Sequence, residues 1–450
     1  MRSINTFIIG LIIVIAFTQG LVSLVGPSES FMRTIREILI ILLFIFSVIQ
    51  SWASNNGSSE YRNKQHYLGK YYIFSIFIVA IISKILNETS DVEFFLFFLR
   101  IGPPILFFWA MSKVDFNEDY VMKILKFMVI LQIPAIIVKY VVIGVSESGG
   151  IGTMAIHAGS LSTIFPLSVI SFAFAFYLSR RSKKYLAAIL VYLIFGLIGG
   201  KRALIVYTPV VFVVVFIIYN RSFYVKHGKS FVKQLMFIFI GCFVSFYFIA
   251  RFNPNLNPEE KIGGSFDIAY IIDISTEYNS FKGELGFSRT DAPEVLYSFL
   301  TSRNNISALF FGMGPGDIIQ SSLNNKYPGV ENDRQLLMYK YGLGYGLRVG
   351  VLWTAIQVGL IGALLYGLFF LKVVRNTIAI LKNSKNAITK EYSLGVIGMG
   401  FILLMDYFTY SSTYFYSGAI SNSFFLLLVV VMKRYAEERS DLVVESIASK

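Results

Sequence analysis

Charge is scarce in this sequence, and cysteine and histidine are scarcer still. Only 15% of its 450 residues are charged and 55% are hydrophobic, whereas a soluble domain carries about 25% charged residues. That balance argues against a water-soluble enzyme. The one cysteine, Cys242, falls in an apolar run, which excludes an intramolecular disulfide. The three histidines, His66, His157 and His227, stand in separate loops without ligand spacing, so no zinc site is expected. No internal repeat and no low-complexity tract interrupts the chain.

What is abundant is long apolar sequence. Runs suited to membrane helices cover 4–25, 35–53, 71–87, 94–112, 121–143, 160–178, 185–200, 203–219, 234–250, 349–371, 392–411 and 415–432. Each is long enough to cross, or nearly cross, roughly 30 Å of hydrocarbon. In lipid such runs must be helical, because every backbone N–H and C=O needs a partner within its own segment. The expectation is an all-α integral membrane protein with about twelve transmembrane helices. The first run follows Met1-Arg2 like a signal peptide. It is too long for a signal-peptide core, and Leu24-Val25-Gly26-Pro27 is a poor cleavage site, so it reads as a retained helix.

The net charge of +13 would suit nucleic acid, but its distribution points elsewhere. Arg180, Arg181, Lys183 and Lys184 form one cluster between runs; Arg221, Lys226, Lys229 and Lys233 form a second; Lys372, Arg375, Lys382, Lys385 and Lys390 form a third. Basic connections mark the cytoplasmic side. Alternation from them puts both termini in the cytoplasm, and Arg62, Lys64 and Lys70 then also fall inside. No nucleic-acid partner is expected. The chain divides into nine helices over 1–250, an extracytoplasmic loop over 251–348, three helices over 349–432 and a cytoplasmic tail over 433–450.

A loop that long is functional or disordered far more often than it is a simple connection, and this one carries order signals. Asp291-Ala292-Pro293-Glu294 opens an amphipathic stretch with Val295, Leu296, Phe299 and Leu300, as at a helix start. Gly312-Met313-Gly314-Pro315-Gly316 reads as a rigid turn, and Glu331 to Tyr341 as another short helix.

Cations near the outer face run against the orientation rule: Lys84, Arg100, Lys139, Lys201, Arg202, Arg251 and Arg348. A shared anionic partner would account for them, and arginine suits phosphate through its planar fork. Lys84 and Lys139 read as snorkelling to the interface. Arg100 precedes Gly102-Pro103-Pro104, expected to break its helix and free carbonyls, so a structural partner stands beside a ligand as its reading. Arg202, Arg251 and Arg348 sit at helix ends facing the loop and read as functional. Asp406 either neutralises one of them or takes part in chemistry. The aromatic cluster Tyr407, Phe408, Tyr410, Tyr414, Phe415 and Tyr416 reads as an interfacial belt, with a sugar-stacking surface as the alternative.

Three segments together resemble a known family, the bacterial O-antigen and capsule polysaccharide polymerases of the Wzy type and their ligase relatives. Gly200-Lys201-Arg202-Ala203-Leu204 is similar to the family's small-residue-then-arginine motif at a helix start. Phe287-Ser288-Arg289, followed by Phe311-Gly312-Met313-Gly314-Pro315-Gly316, resembles the segment leading to its Gly-x-Gly-Pro-Gly turn. Arg348-Val349-Gly350-Val351-Leu352 and Gln357-Val358-Gly359-Leu360-Ile361-Gly362 resemble its block at the return into the membrane. Ligases carry a His-Asn pair where this chain has Arg348 and Val349, a departure that favours a polymerase.

The resemblance implies a GT-C-like architecture and an inverting, metal-independent glycosyl transfer without a cofactor. The donor would be a glycan on undecaprenyl pyrophosphate in the outer leaflet of the bacterial cytoplasmic membrane, and the acceptor a second lipid-linked repeat. Arg202, Arg289 and Arg348 would grip the phosphates, with Lys201, Arg251, Gly314, Gly316 and Asp406 binding substrate. A base for the acceptor hydroxyl would be a carboxylate, and Asp291, Glu294, Asp317, Asp333 and Asp406 remain open. A flippase and a chain-length regulator would be further partners. Two other functions stay in view: an O-antigen ligase acting on a lipid core, and a transporter of the same lipid-linked glycan. One-sided charge and a one-sided loop weigh against transport, which places charge near the midplane.

Overall fold

A computed structural model describes residues 1–26, 28–53, 70–143, 149–155, 161–198, 201–222, 250–252, 254–280, 291–302, 306–319, 333–341, 343, 349–409 and 418–448, with scattered positions between 233 and 248. About 86% of the described residues are helical and none is in a strand. The helices are α1 (Arg2–Val22), α2 (Glu29–Ala53), α3 (Lys70–Leu86), α4 (Asp91–Lys113), α5 (Glu118–Ile143), α6 (Leu161–Arg180), α7 (Lys183–Ile198) and α8 (Arg202–Ser222). Short helices α9 (Ile268–Ser280), α10 (Ala292–Ser302), α11 (Ile306–Phe311) and α12 (Asp333–Tyr341) follow, then α13 (Gly350–Asn383), α14 (Ala387–Thr409) and α15 (Gly418–Ala448). Among the described residues, seven helices are long and apolar enough to cross a membrane: α1, α4, α5, α6, α13, α14 and α15. The chain is an all-α, multi-pass membrane protein.

The long helices run up and down between two ends, fixed by contacts at their connections. At one end lie the basic turns α6–α7 and α13–α14. Here Arg180 Nε donates to Glu391 (2.8 Å), whose other oxygen accepts from Ser179 Oγ (2.8 Å), tying α6 to α14. Glu438 of α15 accepts from Ser384 Oγ (2.6 Å) and from the Asn386 N–H (3.2 Å), closing the α13–α14 turn. Lys433 donates to the Val114 carbonyl (2.7 Å) over the face of Phe116. α1 starts at this basic end, where Asn5 donates to the Asp115 carbonyl (3.0 Å). It finishes at the opposite end, where the Gly20 N–H reaches the Thr153 carbonyl (3.0 Å).

That opposite end carries the α3–α4 turn, the start of α8 and the Gly312–Gly316 segment, which bonds to the end of α3 and to α13. It is called the loop end below. The α3–α4 turn has Glu88 in the left-handed region (φ 50°) and a capping box in which Ser90 and Glu93 serve each other's N–H.

In lipid, apolar contact alone gives helices no reason to associate, and close backbone approach matters more. Gly395 and Gly398 provide it between α14 and α6: a Cβ on Gly398 would lie 1.9 Å from Ser171 Oγ.

Three expectations need correction. Pro103 and Pro104 do not break α4, which runs unbroken from Asp91 to Lys113. Proline removes N–H groups that would serve the carbonyls of residues 99 and 100, and neighbouring helices make this tolerable inside a bundle; Ile101, Pro103, Pro104 and Ile105 are all buried. The tail after 432 is the last part of α15, held by Lys433 and Arg434, the latter donating to Glu118 (3.3 Å). The run at 349–371 is not one straight helix, as described next.

Candidate functional site

α13 is two helices joined at a break. Val358 (φ −127°, ψ 16°) and Gly359 (φ 73°, ψ −179°) leave helical geometry. A positive φ is cheap only for glycine, and a Cβ here would lie 2.0 Å from the Phe310 carbonyl oxygen, so residue 359 has no room for one. The break deprives the Ile356 and Gln357 carbonyls of their helical donors. Both are buried, and an unsatisfied buried carbonyl costs about 1–3 kcal/mol.

The glycine turn supplies those donors. The Met313 N–H donates to the Ile356 carbonyl (2.7 Å) and the Gly314 N–H to the Gln357 carbonyl (3.2 Å). The Gly316 N–H donates to Gln357 Oε1 (3.0 Å). Ser83 Oγ adds a bond to the Gln357 carbonyl (3.1 Å), and Asn87 Nδ2 reaches the Gly312 carbonyl (3.1 Å), so the end of α3 joins the same network. Gly312, Gly314 and Gly316 all have positive φ (76°, 123° and 87°). A Cβ on Gly316 would lie 1.8 Å from the Glu93 carbonyl oxygen. The turn is thus wedged between the α3–α4 connection and the broken helix, with little freedom left. Leu296 and Leu300 of α10 are buried nearby, as the amphipathic pattern predicts. Just after the turn, the Asp317 carboxylate pairs with Lys340 and accepts from the Tyr341 hydroxyl, binding α12 to the platform.

The sequence-predicted site residues divide. Gly314 and Gly316 are in this platform, with their N–H groups committed to Gln357, so they place the site and offer no donors to a ligand. Lys201 is buried at the α7–α8 turn, its N–H on the Gly196 carbonyl (3.1 Å). Arg202 is the first residue of α8, at the same end of the bundle. One and a half turns along, the Tyr207 hydroxyl lies 2.6 Å from Thr409 Oγ1, joining α8 to the last residue of α14. Asp406, one turn earlier in α14, is fully buried; its neighbour Tyr407 donates to the Ala363 carbonyl of α13 (3.0 Å). Arg251 is turned onto its own chain. It donates to the carbonyls of Gly264 (2.9 Å) and Gly263 (3.3 Å), while its own carbonyl accepts from both of their N–H groups. That clasp closes the segment after Pro254–Leu256. Beside it the Glu259 carboxylate accepts from the Ser265 N–H (2.7 Å), and hydrogen bonds from the Ser265 hydroxyl and then this N–H hold its pKa below the usual carboxylate value. Arg289 and Arg348 lie outside the described residues.

Of the two lysines expected to snorkel, Lys84 makes an ion pair with Asp91 (2.7 Å) and Lys139 donates to the Ala155 carbonyl (2.9 Å). Sequence reasoning overlooked a pair of arginines in α2. That helix starts at Glu29, six residues ahead of the expected run, which brings Arg33 into it ahead of Arg36, already within the run. The signal was present: Ser28 accepts from the Phe31 N–H (3.2 Å) and Glu29 occupies the first turn, the residue types of a helix start.

Compared with known proteins, the chain matches no protein-family model and no curated protein.

Proposed function

We propose that the chain is a polymerase joining undecaprenyl-pyrophosphate-linked oligosaccharide repeats into a cell-surface polysaccharide, O-antigen or capsule. In this reading the loop end faces outward, the basic end faces the cytoplasm, and twelve helices cross the bacterial cytoplasmic membrane. The observation that carries it is the docking of the Gly312–Gly316 turn onto the α13 break. Two segments that the resemblance singles out, 41 residues apart between Gly316 and Gln357, meet through hydrogen bonds at the end where Arg202 starts α8.

A fixed platform is what this chemistry needs. The acceptor hydroxyl attacks the anomeric carbon of the donor, the bond to pyrophosphate breaks, and the negative charge that develops on the leaving group must be met by groups already in place. Arg202, Arg289 and Arg348 take that part, with Lys201 in support. Gln357, Gly314, Gly316 and the Arg251 clasp act as scaffold. A carboxylate removes the acceptor proton. The arginine at 348, where ligases carry histidine, favours chain growth over transfer to a lipid core.

The test is chain growth by the purified protein from lipid-linked repeats in excess EDTA. Polymer ladders are the expected result. Loss of activity restored by Mg²⁺ or Mn²⁺ would overturn the arginine-only account, and transfer of preformed polymer without chain growth would reassign the protein as a ligase.

A further inference from the structure

The arginines of α2, with Arg100 of α4, form a second cationic centre in the loop-end half of the bundle, outside the three motif segments. Arg36 lies seven residues into α2, and Arg100 nine residues into α4. At 1.5 Å per residue these are about 10 Å and about 14 Å below the helix starts. The two helices pack against each other and run in the same direction, so both cations sit at a similar depth. Arg33 Nε stands 3.7 Å from Glu37, Arg36 Nη2 stands 3.8 Å from the same carboxylate oxygen, and the charge of Arg100 also acts on it. Two guanidiniums therefore flank Glu37, and the charge of a third reaches it.

Arg36 is the informative member. It is only 4% exposed. A guanidinium carries five N–H donors and cannot shed its charge. Among the described residues, its one hydrogen bond is a long one, 3.3 Å from Nη1 to Gln19 Oε1 of α1. A buried guanidinium held so loosely is expensive for structure alone, and charge at membrane depth is by default a sign of function. Its place also depends on a neighbouring glycine. A Cβ on Gly418, the first residue of α15, would lie 1.9 Å from Arg36 Nη1, so the absence of a side chain at 418 is what lets the guanidinium lie there.

We propose that Arg36, with Arg33 and Arg100, binds the diphosphate head of a polyprenyl lipid at a site separate from the one around Arg202. The ligand class follows from the chemistry. Planar forks pair best with phosphate oxygens. The cluster's excess of positive charge suits a doubly charged head better than a single phosphate. A lipid tail delivers such a head to membrane depth, where free anions do not go. The inference deepens the polymerase reading and rests on it, because joining two lipid-linked repeats requires places for two diphosphates. Arg36 would hold the one that is not cleaved.

The test is native mass spectrometry and titration of the full-length protein in detergent. The probes are undecaprenyl diphosphate, undecaprenol, phosphatidylglycerol and inorganic pyrophosphate. Undecaprenyl diphosphate should bind in preference to the other three, and Arg36→Gln should weaken it by about tenfold or more. Gly418→Ala keeps the arginine but displaces its guanidinium, and should weaken binding in a protein that melts like wild type. Arg36→Lys, which keeps the charge without the fork, should fall between. Equal binding of undecaprenol or phosphatidylglycerol would overturn the diphosphate assignment, and equal binding of inorganic pyrophosphate would overturn the lipid. Unchanged affinity in both Arg36→Gln and Gly418→Ala, with wild-type chain growth, would sink this site and leave the polymerase reading standing. Arg36-dependent binding in a protein that never extends a chain would do the reverse.

Discussion

At the scale of single residues, the proposed function separates cations that serve the fold from cations that would meet a ligand. Arg180, Lys433 and Arg434 at the basic end, Lys84 at the loop end, and Arg251 in its own clasp each meet carboxylates or carbonyls of the chain itself. Arg348 belongs with the second group in the reading proposed here, and its role rests on geometry more than on charge. Arg348→Lys keeps the charge and loses the bidentate fork, so chain growth should drop by a factor equivalent to about 2–3 kcal/mol of transition-state stabilisation. Arg348→His recreates the ligase residue without its neighbours and should be inactive in both reactions. Cells carrying either variant should display single repeats in place of long chains. Wild-type chain lengths in an Arg348→Ala strain with normal protein levels would show that this arginine is structural.

At the scale of elements, the feature that organises the loop end is the mutual dependence of a broken helix and a glycine turn. The break in α13 frees carbonyls that the turn's N–H groups fill, so neither is stable in its observed form without the other. Gly359→Ala tests this. The new Cβ would meet the Phe310 carbonyl oxygen at 2.0 Å in a backbone with φ 73°, and backbone clash adds to a left-handed cost of about 1–2 kcal/mol. Gly263→Ala is the control, with φ 84° and nothing within 4 Å of its Cβ. It should bear the left-handed cost alone. In thermal melts of the detergent-solubilised proteins, Gly359→Ala should be clearly the less stable of the two. Equal melting would mean that the turn and the break are not coupled.

At the scale of the whole molecule, the charge distribution dictates how the bundle sits. Lysine and arginine crowd the α6–α7 and α13–α14 ends, and the short helices α9 to α12 lie in the long segment between residue 250 and α13. In a Cys242→Ser background, Lys326→Cys should react with a membrane-impermeant thiol reagent in intact cells, and Ser182→Cys only after lysis. The opposite pattern would invert the topology and put the proposed site on the wrong side of the membrane.

The sequence by itself determined that the chain is helical and built for a membrane. Long apolar runs leave the backbone no other way to satisfy its hydrogen bonds in lipid. It also determined the ordered parts of the long segment, because Asp291-Ala292-Pro293 and the glycines of 312–316 act on their own neighbours. Tertiary structure decided what depends on distant partners. The α13 break at Val358–Gly359 exists because Met313, Gly314 and Ser83 arrive to take the freed carbonyls, and nothing within residues 350–383 announces them. The continuity of α4 through Pro103 and Pro104 depends on the helices packed around it. Arg36 falls inside the apolar run 35–53, but only the packing shows that it is buried and that Gly418 leaves space for its guanidinium. Local sequence decides which segments are helices, and packing decides where a helix may break and which charges become buried.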